Sequence, residues 1–185
     1  GERIALVDRR GRIAHDFIEI PGVELAETFS AALNSGAAGM VFVTHRLVPN
    51  LDRIPNLLLL RPRDLVLGIG CSRNVSAGEI ERAVRWELER AFLALPSVAC
   101  LATTAEGAEE PGLCEFARRF ELPIESCEAA ASGGGRFPLD ARAGGMGDCE
   151  AAALFSSRGG RLLVAKKKHG QVILAIASKN DSGGG

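Results

Sequence analysis

Seven consecutive residues combine the types that anion chemistry needs. Gly68-Ile69-Gly70-Cys71-Ser72-Arg73-Asn74 follows an apolar run and precedes an amphipathic pattern. Glycines let the backbone approach a ligand closely, the N-terminus of a following helix favours negative charge, and Arg73 adds a permanent cation. In open α/β sheets, ligands sit outside the carboxyl ends of the strands, where a loop of this kind would lie. A dinucleotide fingerprint needs a third glycine, and position 73 is Arg instead. Beside nucleotide binding, two readings stay open: a loop that holds some other anionic ligand, and a tight strand-to-helix turn with none.

Other reactive side chains are scattered. Cys71 has no adjacent His to activate it, and a buried loop thiol is the plainer reading. His15, His45 and His169 match neither HxxxH nor HExxH, so no protein-held metal is expected. Lys166-Lys167-Lys168-His169 is read as a solvated hairpin tip rather than a nucleic-acid patch. Twenty-two basic residues against 23 acidic ones leave a net charge of -1, which argues against a nucleic-acid partner. No apolar run approaches the roughly 20 residues that span a bilayer, so no membrane partner is expected. No signal peptide is visible, and the five cysteines show no CxxC spacing. A reduced, cytoplasmic protein with free thiols is expected.

These residues must be positioned by the elements around them. Hydrophobic residues make up 46% of the chain, but only 5% are aromatic, so the core must be aliphatic. Arg3 to Val7 reads as a strand, Ile13 to Ile20 as a second, and Leu25, Ala26, Phe29, Ala32 and Leu33 follow helical spacing from Val23 onward. Met40 to Val43 and Leu57 to Leu60 are further apolar runs, and Arg61-Pro62-Arg63 marks a break between two subdomains. Leu65 to Ile69 is a buried strand. Ser76 and Glu79 form a capping box, and Ile80, Val84, Leu88, Ala91 and Leu95 lie on one helical stripe. Trp86 lies off that stripe, either exposed at a rim or packed against residues 1–60 or a further domain. Val98 to Thr103 is a strand, and Pro111 opens a helix carrying Leu113, Phe116, Ala117 and Phe120. Leu122 to Cys127 is another strand. Residues 131–147 form a long Gly- and Arg-rich loop, Asp148 can cap a helix, and Arg161–Lys166 with Gln171–Ala177 makes a hairpin turning at Lys168-His169-Gly170. The expected fold is α/β: a layered sandwich with a mainly parallel sheet and an antiparallel edge hairpin over 64–180. A smaller α/β subdomain over 1–62 precedes it, and 181–185 is a tail.

The residues from Leu65 to Arg73 resemble the "GIGC" opening of the C-terminal domain of CbiG, the cobalt-precorrin-5A hydrolase family of anaerobic cobalamin biosynthesis. The CobE proteins of the aerobic pathway share that domain. Leu101-Ala102-Thr103-Thr104 with Glu110-Pro111-Gly112-Leu113 resembles the family's next segment, and Cys149 to Leu154 its alanine-rich helix. Leu162 to Lys166 with Ala175-Ile176-Ala177 resembles its closing hairpin. Four motifs in order cover about 115 residues, and residues 1–62 resemble the CbiG central region by weaker motifs. Departures are visible too: the family's Lys falls at Gly107, its Asp at Ala105, its "sV" pair at Gly147-Asp148, and a Thr of the last strand at Ile173.

The resemblance implies part of an enzyme that opens a δ-lactone and releases acetaldehyde. The partner is then a cobalt-containing tetrapyrrole intermediate bearing many carboxylates. The cobalt comes with the substrate, and no cofactor is implied. Gly68, Gly70, Cys71, Ser72, Arg73, Asn74, Thr103, Thr104 and Lys166 become candidate substrate-binding residues, with Arg136 and Arg142 as further cations. Glu110 and Glu150 become candidate general bases, each with an alternative role in balancing a helix dipole. The family's N-terminal domain, which would precede residue 1, becomes a possible second partner. Two other readings stand: a CobE-like tetrapyrrole-binding or carrier module without catalysis, and an interaction domain without a small ligand.

Overall fold

The computed structural model describes residues 1–17, 19–127 and 148–180. The loop expected over 131–147, with Arg136 and Arg142, and the tail 181–185 lie outside the described residues. The chain divides into two compact units, broken between Pro62 and Arg63. Among the described residues, no helix is long and apolar enough to cross a membrane.

The first unit is a four-stranded parallel sheet in the order β2-β1-β3-β4. Its elements are β1 (Ile4–Val7), α1 (Ala14–Phe17), β2 (Val23–Leu25), α2 (Phe29–Leu33), β3 (Gly39–Val43) and β4 (Leu57–Leu60). Its core is small: Ala5, Val7, Ala32 and Met40, with Phe29 stacked at a tilt on Phe42 at 4.7 Å. Two expectations fail here. Ile13 to Ile20 contains a helical turn rather than a strand, because Asp8 Oδ2 accepts the free N–H groups of Ile13 (2.8 Å) and Ala14 (3.0 Å). Val23 to Leu25 is not the start of a helix but a strand paired in parallel with Ile4 to Leu6. The helix begins only after Thr28, whose hydroxyl accepts the Ala31 N–H at 3.0 Å.

The second unit has a five-stranded sheet in the order β7-β6-β5-β9-β8. Strands β5 (Leu65–Cys71), β6 (Val98–Thr104) and β7 (Ile124–Cys127) are parallel. The hairpin β8 (Arg161–His169) and β9 (Val172–Ser178) closes the edge antiparallel to β5. One face packs against α3 (Ala77–Arg90) and α5 (Pro111–Arg119), through Leu65, Leu67, Ile69, Ile80, Val84 and Phe116. The other face meets α6 (Asp148–Ser156) through Val66, Cys100, Ala102, Ala152, Ala153 and Ala177. The expected layered α/β sandwich with an antiparallel edge hairpin is the fold found, and the sheet of this unit is mixed, three parallel strands and the hairpin.

Both halves of the capping box at Ser76 and Glu79 are formed. The stripe on α3 stops sooner than its spacing suggests. Phe92 turns into the left-handed region at φ 52°, and the Leu93 N–H reaches back to Leu88 O at 2.8 Å, a Schellman-type closure. Ala91 becomes the cap, and Leu95 starts a short 3-10 turn (Leu95–Ser97). Trp86 points to solvent, 56% exposed. The basic run is not a hairpin tip: Lys166 to His169 are residues of β8, and the turn falls at Gly170-Gln171. His169 has a specific partner there, its Nε2 lying 2.8 Å from Oε1 of the buried Glu87 on α3.

Candidate functional site

Strands β5 and β6 run in parallel and end side by side, so the residues at their carboxyl ends open onto one crevice. A cleft of about 770 Å³ lies there. Gly70 and Cys71 from the end of β5, then Arg73, form one part of its wall. Thr103 and Thr104 from the end of β6 form another. Lys166 enters from β8 and Cys149 from α6. No group of three His, Cys, Asp or Glu residues is placed to hold a metal among the described residues.

The segment after β6 turns the cleft acidic. The Thr104 hydroxyl accepts the Gly107 N–H at 3.2 Å and caps the single turn α4 (Ala105–Ala108). A Cβ at position 107 would sit 2.2 Å from Thr103 Oγ1, so α4 lies directly against the buried Thr103 only because Gly stands there. The departure from the family's Lys therefore has a local structural consequence. Glu106, Glu109 and Glu110 all line the cleft from this segment. Glu110 is the N-cap of α5, yet its side chain makes no capping hydrogen bond. Its half-buried carboxylate is thus not consumed by the helix end.

The electrostatics argue against thiol chemistry. Burial pushes the Cys71 thiol up, and the Glu110 carboxylate nearby pushes it further. Burial also raises the Cys149 thiol, with Glu150 adding to the effect. Both stay protonated at neutral pH, when a nucleophile would need to be thiolate.

Of the candidates named from the sequence, seven share this cleft: Gly70, Cys71, Arg73, Thr103, Thr104, Glu110 and Lys166. The other four lie outside its lining. Gly68 is a packing residue, since a Cβ there would come within 1.9 Å of the Cys149 carbonyl oxygen on α6. Ser72 is exposed and donates its backbone N–H to Gln171 O at 3.0 Å. Asn74 is exposed and takes the left-handed turn before α3 at φ 63°. Glu150 accepts the backbone N–H of Lys166 on Oε1 at 2.8 Å. Sequence reasoning missed Glu106 and Glu109; Glu106 stands three residues before Glu109 and four before Glu110, and that helical spacing was the available signal. It also missed Cys149 and Ile173, which only the fold brings to the cleft.

Residues 65–177 match the family model described as cobalamin synthesis G C-terminus. The chain is 31% identical over 186 residues to the cobalt-precorrin-5A hydrolase of Priestia megaterium, covering 95% of this chain and 50% of that protein. It therefore spans half the length of that curated relative. The crystal structure of CobE, a protein from the cobalamin (vitamin B12) biosynthetic pathway, is 28% identical at a TM-score of 0.50, over 63% of this chain and 91% of that one. A cobalamin biosynthesis protein G homolog from Sulfolobus solfataricus shares the fold at 17% identity and a TM-score of 0.50, over 97% of this chain and 51% of that one.

Proposed function

The chain belongs to the cobalamin synthesis G C-terminus family, and from that premise we propose that its second unit supplies the substrate cleft of a cobalt-precorrin-5A hydrolase. The substrate is a cobalt-containing tetrapyrrole intermediate, the metal arrives with it, and the protein brings no cofactor of its own. A further domain of the same protein is the second proposed partner, because the hydrolase relative is twice as long as this chain. The proposed compartment is the cytoplasm, in keeping with five cysteines that form no disulfide.

The observation that carries the reading is a cleft lined by two cations, Arg73 and Lys166, and by three glutamates, of which Glu110 is half-buried with no capping bond. Arg73 and Lys166 offer charge-assisted hydrogen bonds to the substrate's acetate and propionate groups. Glu110 is the one general-base candidate from the sequence that lines the cleft, and the helix end leaves its carboxylate unused. In the proposed step, Glu110 takes a proton from water as the water oxygen bonds to the lactone carbonyl carbon. The ring C–O bond breaks and its oxygen regains a proton, giving a carboxylate and an alcohol. The alcohol then gives up its O–H proton to a base as its C–C bond breaks, its carbon leaves as acetaldehyde, and the electrons of that bond stay on the macrocycle, which takes up a proton in return.

The test is acetaldehyde release from cobalt-precorrin-5A by the full-length protein. Glu110→Gln is expected to lower kcat by about 10²- to 10⁴-fold, the range for loss of a general base. Unchanged turnover would remove Glu110 from the chemistry. A second reading, a tetrapyrrole-binding module without catalysis, is favoured by the likeness to CobE, 91% of whose structure is covered by this chain. Under that reading the cleft binds a cobalt corrinoid, Glu110→Gln binds it equally well, and no acetaldehyde appears.

A further inference from the structure

Strand β8 does not pair evenly with β9. Between Val164 and Lys167, β8 advances three residues while β9 advances two, from Ile176 to Leu174. The surplus residue makes a β-bulge at Ala165-Lys166. A bulge leaves a residue outside the regular ladder and re-aims a side chain that strict alternation would send elsewhere. Lys166 lies at this bulge. Its backbone N–H goes to Glu150 Oε1 on α6 at 2.8 Å, and the residue is part of the cleft lining.

The height of α6 makes that bond possible. Gly68 lets the Cys149 carbonyl settle onto β5, and Glu150 is the next residue along the helix. A carboxylate accepting an N–H forms a charge-assisted bond, roughly twice as strong as a neutral one. Glu150 lies outside the cleft lining, so a catalytic part for it has no geometric support. Its contact is with the backbone of a residue that does line the cleft.

On the cleft function proposed above, we infer that Glu150 is a positioning residue: it clamps the β8 bulge and so aims the Lys166 ammonium at a carboxylate of the substrate. Arg73 and Lys166 are both exposed, but Arg73 stands on the loop after β5, whereas the backbone of Lys166 is held on a strand by this clamp. Lys166 is therefore the cation with the more firmly held backbone.

Two measurements test this on the intact chain. The first needs no ligand: amide hydrogen exchange at Lys166 in the native protein, in Glu150→Ala, in Glu150→Asp and in Glu150→Gln. Protection is expected to fall about tenfold in the Ala and Asp variants, which remove or shorten the acceptor. It should fall less in Gln, which keeps an oxygen at the same reach but loses the charge. Equal protection in all four proteins would overturn the clamp. The second is an absorbance titration with cobyrinic acid, a cobalt corrinoid bearing free carboxylates. Glu150→Ala and Lys166→Ala are each expected to weaken binding about tenfold, the double variant no further, and Glu150→Gln to recover most of the loss. Additive losses would overturn the positioning role even if protection falls as expected. If the native chain does not bind the corrinoid while the exchange result holds, the cleft function fails and the clamp stands.

Discussion

Leu65, Leu67 and Ile69 on one face of β5 lie under α3 and α5, in a core of large aliphatic side chains and Phe116. Val66 and Gly68 on the other face meet α6 through Ala152 and Ala153, with Cys100, Ala102, Cys127 and Ala177 around them. The first face buries more apolar surface per residue, and hydrophobic stabilisation scales with that area. The second gives up area for close approach. Its reward is positional: α6 is set at a height where Glu150 reaches Lys166. One side of the sheet is built mainly for stability, the other mainly to place cleft residues.

Substitutions on the two faces should then separate stability from binding. Phe116→Ala, at a fully buried site, is expected to cost about 3–5 kcal/mol in urea unfolding. Whatever remains folded should bind a cobalt corrinoid as the native chain does. Gly68→Ala forces a Cβ against the Cys149 carbonyl and should cost about 1–3 kcal/mol. Unlike Phe116→Ala, it should also weaken corrinoid binding, because α6 must lift. If the two variants change binding alike, the division between faces is wrong.

Ser76→Ala removes the hydroxyl of the capping box on the α3 side, expected to cost about 1 kcal/mol with no change in binding. It should also change the acid limb of stability. Hydrogen bonds from the Ser76 side chain and backbone hold the Glu79 carboxyl below its ordinary value. A carboxyl lowered by folding stabilises above its unfolded value, and that contribution fades as pH falls through the lowered one. The variant should therefore lose less on acidification than the native protein, read from urea midpoints across the acid range.

Thiol labelling sharpens the contrast at the cleft. Cys114 is exposed and should react first with a thiol reagent at neutral pH, while Cys71 and Cys149, raised by burial, lag well behind. Glu110→Gln should speed Cys71 modestly, by removing the smaller of the two causes that raise it. Equal rates for Cys71 and Cys114 would mean that the half-buried Cys71 is as open to solvent as the exposed Cys114.

Much of the second unit was legible because its signals are local. Leu65 to Ile69 and Val98 to Thr103 read as strands by apolar runs, α5 by its i, i+3, i+4, i+7 pattern, and the start of α3 by two side chains three residues apart. The failures share one cause, a partner distant in sequence or an interaction the period does not encode. Ile13 to Ile20 became a helical turn through the Asp8 carboxylate, and Val23 to Leu25 became a strand through pairing with β1. The site was half legible. The segment Gly70 to Arg73 lies at a strand end and could be placed from sequence, apart from Ser72, whose backbone is spent on Gln171. Lys166 was named, but nothing in the order of residues reveals the bulge that directs it.

Residue order alone determined which stretches become strands and helices in the second unit, where α3 starts, and that a glycine loop with Arg73 ends a strand. These follow from hydrophobic period and from hydrogen bonds spanning three or four residues. Tertiary structure decided that Gly68 serves packing while Gly70 serves the cleft, that Glu110 lines the cleft while Glu150 holds a backbone, and that Lys166 is brought to the cleft rim. The reason is physical. Each of those outcomes depends on which face of β5 meets α6 and on the register between β8 and β9, and both are set only when elements far apart in the chain pack together.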